Sequence, residues 1–311
     1  MGSRNKSFKT KSLRWFVGTF QKVRIPGLEG MSLYHFLRIF THGIIEGALT
    51  SRAGSIAFSF FIALFPFALF ALTLIPFIPI DGFQEDFIEF IFKAMPSEES
   101  ANAVSGVLDD IANNKYGGLL SFGFLLSILL MTNGVNAILS GFEYTHHQIE
   151  NRTIFKQYFV SLGLSLVLTV LLFVTIGSLI FLEYLINTLS KDGIVSDAVF
   201  WIGIIQIIIM ISMILVAISV LYYFGTKEGH KISFFSPGTV FTAVSLVFNF
   251  EIFKVYLLKF AQYNQLYGSI GSVIVIMLFI WLNSIILLLG FELNTSLIHL
   301  RENKTHRPIS K

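Results

Sequence analysis

The sequence predicts an all-α membrane protein, a polytopic helix bundle of six transmembrane helices, and three observations lead there. Only 13% of the 311 residues are charged and 54% are hydrophobic, whereas a soluble domain carries about a quarter charged residues. Six windows of mainly apolar residues recur, each near the roughly 20 residues that cross about 30 Å of hydrocarbon. Lys and Arg also gather on alternate sides of those windows, 17 on one side and five on the other. A chain so poor in charge cannot cover a water-facing surface, so lipid must meet much of it.

Residues 1–52 form a basic cytoplasmic or interfacial segment. They lack an apolar core ahead of a small-residue cleavage site, so no cleavable signal peptide is expected. Leu13, Phe16, Val17 and Phe20 fall at helical spacing beside Arg14 and Lys22, as do Leu33, Phe36, Leu37, Phe40 and Ile44 beside Arg38. Such stripes suit interfacial helices on anionic lipid, serving as topology anchors or recognising lipid. Because their aromatic positions follow the helix period, no nucleic-acid partner is expected.

A six-helix domain is placed at 53–298, with spans at Ala53–Ile80, Leu119–Phe142, Tyr158–Leu185, Ala198–Phe224, Pro237–Phe260 and Ile270–Leu293. The first contains Pro66, Pro76 and Pro79, which remove backbone hydrogen bonds and predict a kinked, packed helix. Between the first two spans, an outer loop at 81–117 is acidic. It carries Asp81, Glu85, Asp86, Glu89, Glu98, Glu99, Asp109 and Asp110, and its apolar residues recur at helical spacing on either side of Pro96. Two short amphipathic helices are expected there. Residues 299–311 complete the chain as a basic cytoplasmic tail.

Orientation follows from where the cations fall. Nine lie in the N-terminal segment, two at Arg152 and Lys156, two at Lys227 and Lys231, and four in the C-terminal tail. The positive-inside bias puts both termini in the cytoplasm, which an even number of spans satisfies.

Polar residues inside a span are costly in hydrocarbon unless they bond another helix or line a pathway. Candidate pathway residues are Asn133 and Asn136, about one turn apart in the second span, Glu251 and Lys254 in the fifth, and Asn283 in the sixth. Each pair or single residue has a structural alternative: interhelical bonding for the asparagines, and a local ion pair for Glu251 with Lys254. Candidates for headgroup or cytoplasmic contact are Glu150, Arg152 and Lys156 in a cytoplasmic loop, with Glu292 and Asn294 at the cytoplasmic end of the sixth span. Topology enforcement and snorkelling are the competing roles. Pro66, Pro237, Gly268 and Gly271 read as packing or kink positions.

Enzyme signals are weak. Cys is absent, the seven His are scattered, and the one close pair, His146 and His147, is adjacent rather than a helical turn apart. No metal site, cofactor or catalytic residue is therefore expected. No Gly-rich phosphate loop of the Walker type is present, which speaks against ATP coupling within the chain.

Several segments together resemble the YihY/BrkB family of bacterial membrane proteins, some of whose members were once labelled ribonuclease BN. In the first span these are Ala53-Gly54-Ser55-Ile56-Ala57-Phe58 and Leu64-Phe65-Pro66. Asn133-Gly134-Val135-Asn136-Ala137-Ile138 and Glu150-Asn151-Arg152-Thr153-Ile154-Phe155-Lys156 follow. The most specific are Ser236-Pro237-Gly238, Leu266-Tyr267-Gly268-Ser269-Ile270-Gly271 and Leu289-Gly290-Phe291-Glu292-Leu293-Asn294. One departure stands at Thr226, where the family tends to have proline.

The resemblance implies a six-helix protein of the bacterial inner membrane. With it comes a function in transport of a lipid or other envelope amphiphile. The alternative is a non-transporting envelope scaffold, and a ribonuclease is the remoter one. Expected partners are membrane lipids, envelope proteins or further copies of the chain.

Overall fold

The computed structural model describes residues 48–74, 117–143, 152–191, 198–260 and 264–305, together with Ser32 and Tyr34. These form helices α1 (Ala48–Leu74), α2 (Gly117–Glu143), α3 (Ile154–Lys191), α4 (Ala198–Gly225), α5 (Pro237–Phe260) and α6 (Asn264–Thr305), with a 3-10 turn at Gly229–Lys231 before α5. Helices α2 to α6 each contain a stretch long and apolar enough to cross a bilayer: Phe122–Glu143, Ile154–Ser190, Phe200–Gly225, Pro237–Tyr256 and Val273–Glu302. In α1 the described apolar stretch is Leu49–Leu64, and the helix runs unbroken through Pro66 to Leu74. The expected interfacial helices and the outer loop lie outside the described residues, apart from isolated positions.

Two helices outrun their expected windows. Helix α3 has 38 residues and, at 1.5 Å per residue, is about 57 Å long. Helix α6 continues from the expected end at Leu293 to Thr305. Hydropathy drops at Glu292, Asn294, Thr295 and Ser296, but all four are buried in the bundle, so the polar run marks an interior contact and not a helix end.

Each helix packs on the next in sequence and α6 returns to α1, closing a ring. Helix α2 also touches α4 and α6 and so holds the ring together. Large apolar side chains face outward on α3 and α4, among them Leu166, Val170, Phe181, Ile207 and Ile208. That surface suits hydrocarbon and would associate in water.

The core lies where α2, α4 and α6 meet. Phe142 and Phe291 stack with centroids 4.2 Å apart, and Tyr222 sits 5.6 Å from each ring. The hydroxyl of Tyr222 bonds the Thr242 hydroxyl at 2.7 Å and donates to the Leu287 carbonyl at 2.7 Å. A buried phenol needs such partners.

Helix α5 comes close to α6 at two glycines. A Cβ on Gly238 would overlap the Gly290 carbonyl, and one on Gly290 would overlap the Thr242 hydroxyl. The start of α5 is fixed by Ser236, whose hydroxyl accepts from the Thr239 amide at 3.1 Å. Pro237 occupies the first helical position, where its missing N–H costs nothing. The Gly238 amide donates to Asn294 Oδ1 at 2.8 Å, tying that helix end to α6.

Candidate functional site

Helices α1 and α2 lie against each other along one line and part along another. Gly134 receives the Phe60 ring and Gly141 receives Ile56 and Leu288, so the backbones approach where side chains are small. On the other side they leave a cleft of about 480 Å³ lined by eleven residues. From α1 come Arg52, Ser55, Phe58, Ser59 and Ile62; from α2 come Asn133, Asn136, Ser140, the apolar Leu130 and the small Ala137 and Gly141.

The polar lining residues follow helix period. Arg52, Ser55 and Ser59 share one face of α1, while Asn133, Asn136 and Ser140 share one face of α2. At one end of the cleft the Arg52 guanidinium donates to the Gly141 carbonyl at 2.7 Å, joining the two helices. Glu292, buried behind it on α6, attracts the same guanidinium.

A polar network extends from the cleft into α3. Ser161 donates to the Gln157 carbonyl at 2.9 Å, with Asn136 Oδ1 within 3.4 Å of the same hydroxyl as the weaker alternative acceptor. The Gln157 amide lies between Ser140 and Glu143. With its nitrogen assigned toward the carboxylate, it donates to Glu143 at 3.0 Å and accepts from Ser140 at 3.0 Å. These bonds hold the α2 polar face in a set orientation at the back of the cleft.

Arg152 completes the network at the end of α4. Its guanidinium donates to the carbonyls of Phe224, Gly225 and Thr226 at 3.1, 2.8 and 3.0 Å. Those carbonyls lie where a helix runs out of intrahelical donors, so one planar cation satisfies several orphan acceptors. Burial pushes the Arg152 pKa below its ordinary value and the nearby Glu143 carboxylate opposes that shift. The side chain anticipated as a headgroup contact is thus engaged as a helix cap.

The remaining sequence candidates are dispersed. Asn283 accepts from Asn249 at 2.9 Å, a bond between α5 and α6 away from the cleft. Glu251 and Lys254 pair at 2.6 Å with both side chains more than half exposed on α5. Asn294 is buried at the α5 start and Glu292 behind Arg52, while Lys156 is exposed. Gly268 and Gly271 lie in α6; Glu150 lies outside the described residues.

Of the expected pathway set, the structure brings together Asn133 and Asn136. The sequence reading passed over Arg52, Ser55, Ser59 and Ser140. Arg52 counted there only toward membrane orientation. The available signal was its spacing with Ser55 and Ser59 inside an otherwise apolar helix.

Among the described residues no group of three or more His, Asp or Glu is gathered as a metal site would require. A ribonuclease-like protein of Bacillus subtilis (strain 168), YfkH, is 29% identical over 255 residues, covering 81% of this chain and 90% of its own length. A UPF0761 membrane protein of Aggregatibacter aphrophilus (strain NJ8700) is 23% identical over 270 residues, covering 86% of this chain and 94% of that protein. No solved structure matches at a significant level. The profile described as virulence factor BrkB matches residues 41–310, a range that takes in the cleft, its supporting network and every described helix. The chain belongs to the virulence factor BrkB family of membrane proteins.

Proposed function

We propose that the chain carries an amphiphile of the bacterial envelope along the cleft between α1 and α2, in an inner membrane with both termini in the cytoplasm. The single observation that supports this is a lining of mixed character between two helices of a bundle whose outward faces on α3 and α4 are apolar. Arg52, three serines and two asparagines stand beside Phe58, Ile62 and Leu130. Hydrocarbon makes such a polar lining expensive unless something polar occupies it. A molecule with a polar head and an apolar chain satisfies both kinds of surface.

The orientation rests on the distribution of 17 cations against five. Termini on one side require an even number of crossings, and in this reading α1 is the first of six. In that frame the Arg52 end of the cleft faces the cytoplasm.

Leaflet exchange in proteoliposomes tests the proposal. A fluorescent phospholipid is quenched from outside, and wild type is compared with Ala137→Trp, which fills the cleft from α2. Wild type is expected to exceed empty vesicles and Ala137→Trp to fall to their level while remaining folded. Exchange equal to empty vesicles with folded wild-type protein present would remove the transport reading and leave an envelope scaffold.

A further inference from the structure

The cleft is graded along its length. Arg52 meets Gly141 while Phe60 meets Gly134, so α1 and α2 run antiparallel and their lining residues sort by depth. The charge stands at one end: Arg52 with Ser55 and Ser140. Ser59 and Asn136 follow, then Asn133 near Ile62, and Leu130 lies deepest. From Arg52 to Ile62 the rise along α1 is about 15 Å. Among the described residues no second charged side chain lines the cleft.

Building on the reading of this cleft as an amphiphile site, we infer that its occupant carries a phosphoryl group at the Arg52 end, with its acyl chain directed toward Leu130. A guanidinium presents a planar fork of donors that matches phosphate or carboxylate oxygens. The Ser140 hydroxyl at this end is already donated to Gln157, which leaves Ser55 on α1 as the hydroxyl donor beside the guanidinium. A phosphoryl group can place two oxygens on the guanidinium fork and a third on Ser55, whereas a carboxylate has only two oxygens to place. Farther in, the Asn136 and Asn133 amides supply donors at the depth of ester carbonyls, and Ile62 and Leu130 begin the apolar surface. Glu292 attracts Arg52 from the α6 side without lining the cleft, which positions the guanidinium while keeping a carboxylate away from the ligand.

The test uses the full chain in a neutral maltoside detergent and two probes with identical fluorescent acyl chains, phosphatidic acid and diacylglycerol. Wild type is expected to bind phosphatidic acid about tenfold more tightly, the scale of one charge-assisted contact. Arg52→Gln is expected to abolish that preference while retaining diacylglycerol binding, and Ala137→Trp to abolish binding of both. If Arg52→Gln does not fold, Ser55→Ala carries the test and is expected to cut the preference severalfold.

A preference unchanged in these headgroup variants overturns the phosphoryl assignment and leaves the cleft as an amphiphile site. Unchanged binding of both probes to folded Ala137→Trp overturns the amphiphile reading itself. A fatty acid with the same chain that binds as tightly, with the same dependence on Arg52, replaces phosphoryl by carboxylate. Displacement of the lipid by micromolar inorganic phosphate alone assigns the site to free phosphate and overturns the inference.

Discussion

Replacing Gly290 by Ala places a methyl group where α5 and α6 have no room for it. The new carbon would overlap the Thr242 hydroxyl, and it would stand 2.6 Å from the Tyr222 hydroxyl and 2.9 Å from the Gly238 carbonyl. All three atoms belong to buried residues, so relief requires a shift of α5 or loss of the Tyr222 to Thr242 bond. Overpacking of this kind costs about 1–3 kcal/mol, and the displaced hydrogen bond adds about 1 kcal/mol. The expected loss is therefore about 2–4 kcal/mol.

Thr242→Ala removes the nearest obstructing atom and alone costs about 1–2 kcal/mol through the lost bond to Tyr222. Combined with Gly290→Ala it should restore part of the stability, giving a coupling of about 1 kcal/mol or more between adjacent sites. Thermal unfolding of the four proteins of this cycle in one detergent measures it. Additive losses, or a Gly290→Ala protein that melts with wild type, would refute the close-approach account of this helix pair.

Other elements give further expectations. Arg152→Gln should cost about 1.5–3 kcal/mol by stripping charge-assisted bonds from three carbonyls, and Arg152→Lys should not recover it, because an ammonium lacks the planar fork. Faster hydrogen exchange just beyond the α4 end should accompany the loss, and unchanged exchange there would contradict the cap. Asn283→Leu should destabilise by about 0.6–2 kcal/mol by leaving Asn249 unpaired between helices. Replacing both asparagines by leucine should cost less than that single change, as read from unfolding midpoints. Glu251→Gln together with Lys254→Gln should leave leaflet exchange at the wild-type rate, because the pair lies on an exposed face of α5 away from the cleft; a slowed rate would move the pathway.

The helices were legible because hydrocarbon imposes a length and an apolar composition that few other structures share. Pro237, at the expected start of the fifth span, carries recognisable local meaning as well, whereas Gly290 does not stand out in the sequence as a packing position: Gly268 and Gly271 do. The extra turns of α6 were not legible, since a buried Glu292 and Asn294 look like an interface to any reading of hydropathy. Nor was the pairing of Asn283 with Asn249, which depends on how two helices are rotated against each other. Asn133 and Asn136 stood out as polar residues in an apolar helix. Their counterparts on α1 did not, because serines are mild in hydropathy and Arg52 stands among cations that orient the chain.

The absence of cysteine allows the most direct test of the cleft as a pathway. Ser59→Cys introduces a single thiol into its lining, and Glu251→Cys puts one on the outer face of α5. Leaflet exchange is measured in the same proteoliposomes before and after labelling with a bulky maleimide, so each preparation is its own control for folding. The account predicts that labelling at position 59 brings exchange down to that of empty vesicles, whereas labelling at position 251 leaves it unchanged. Full exchange through a protein quantitatively labelled at position 59 would contradict the claim that the amphiphile travels between α1 and α2.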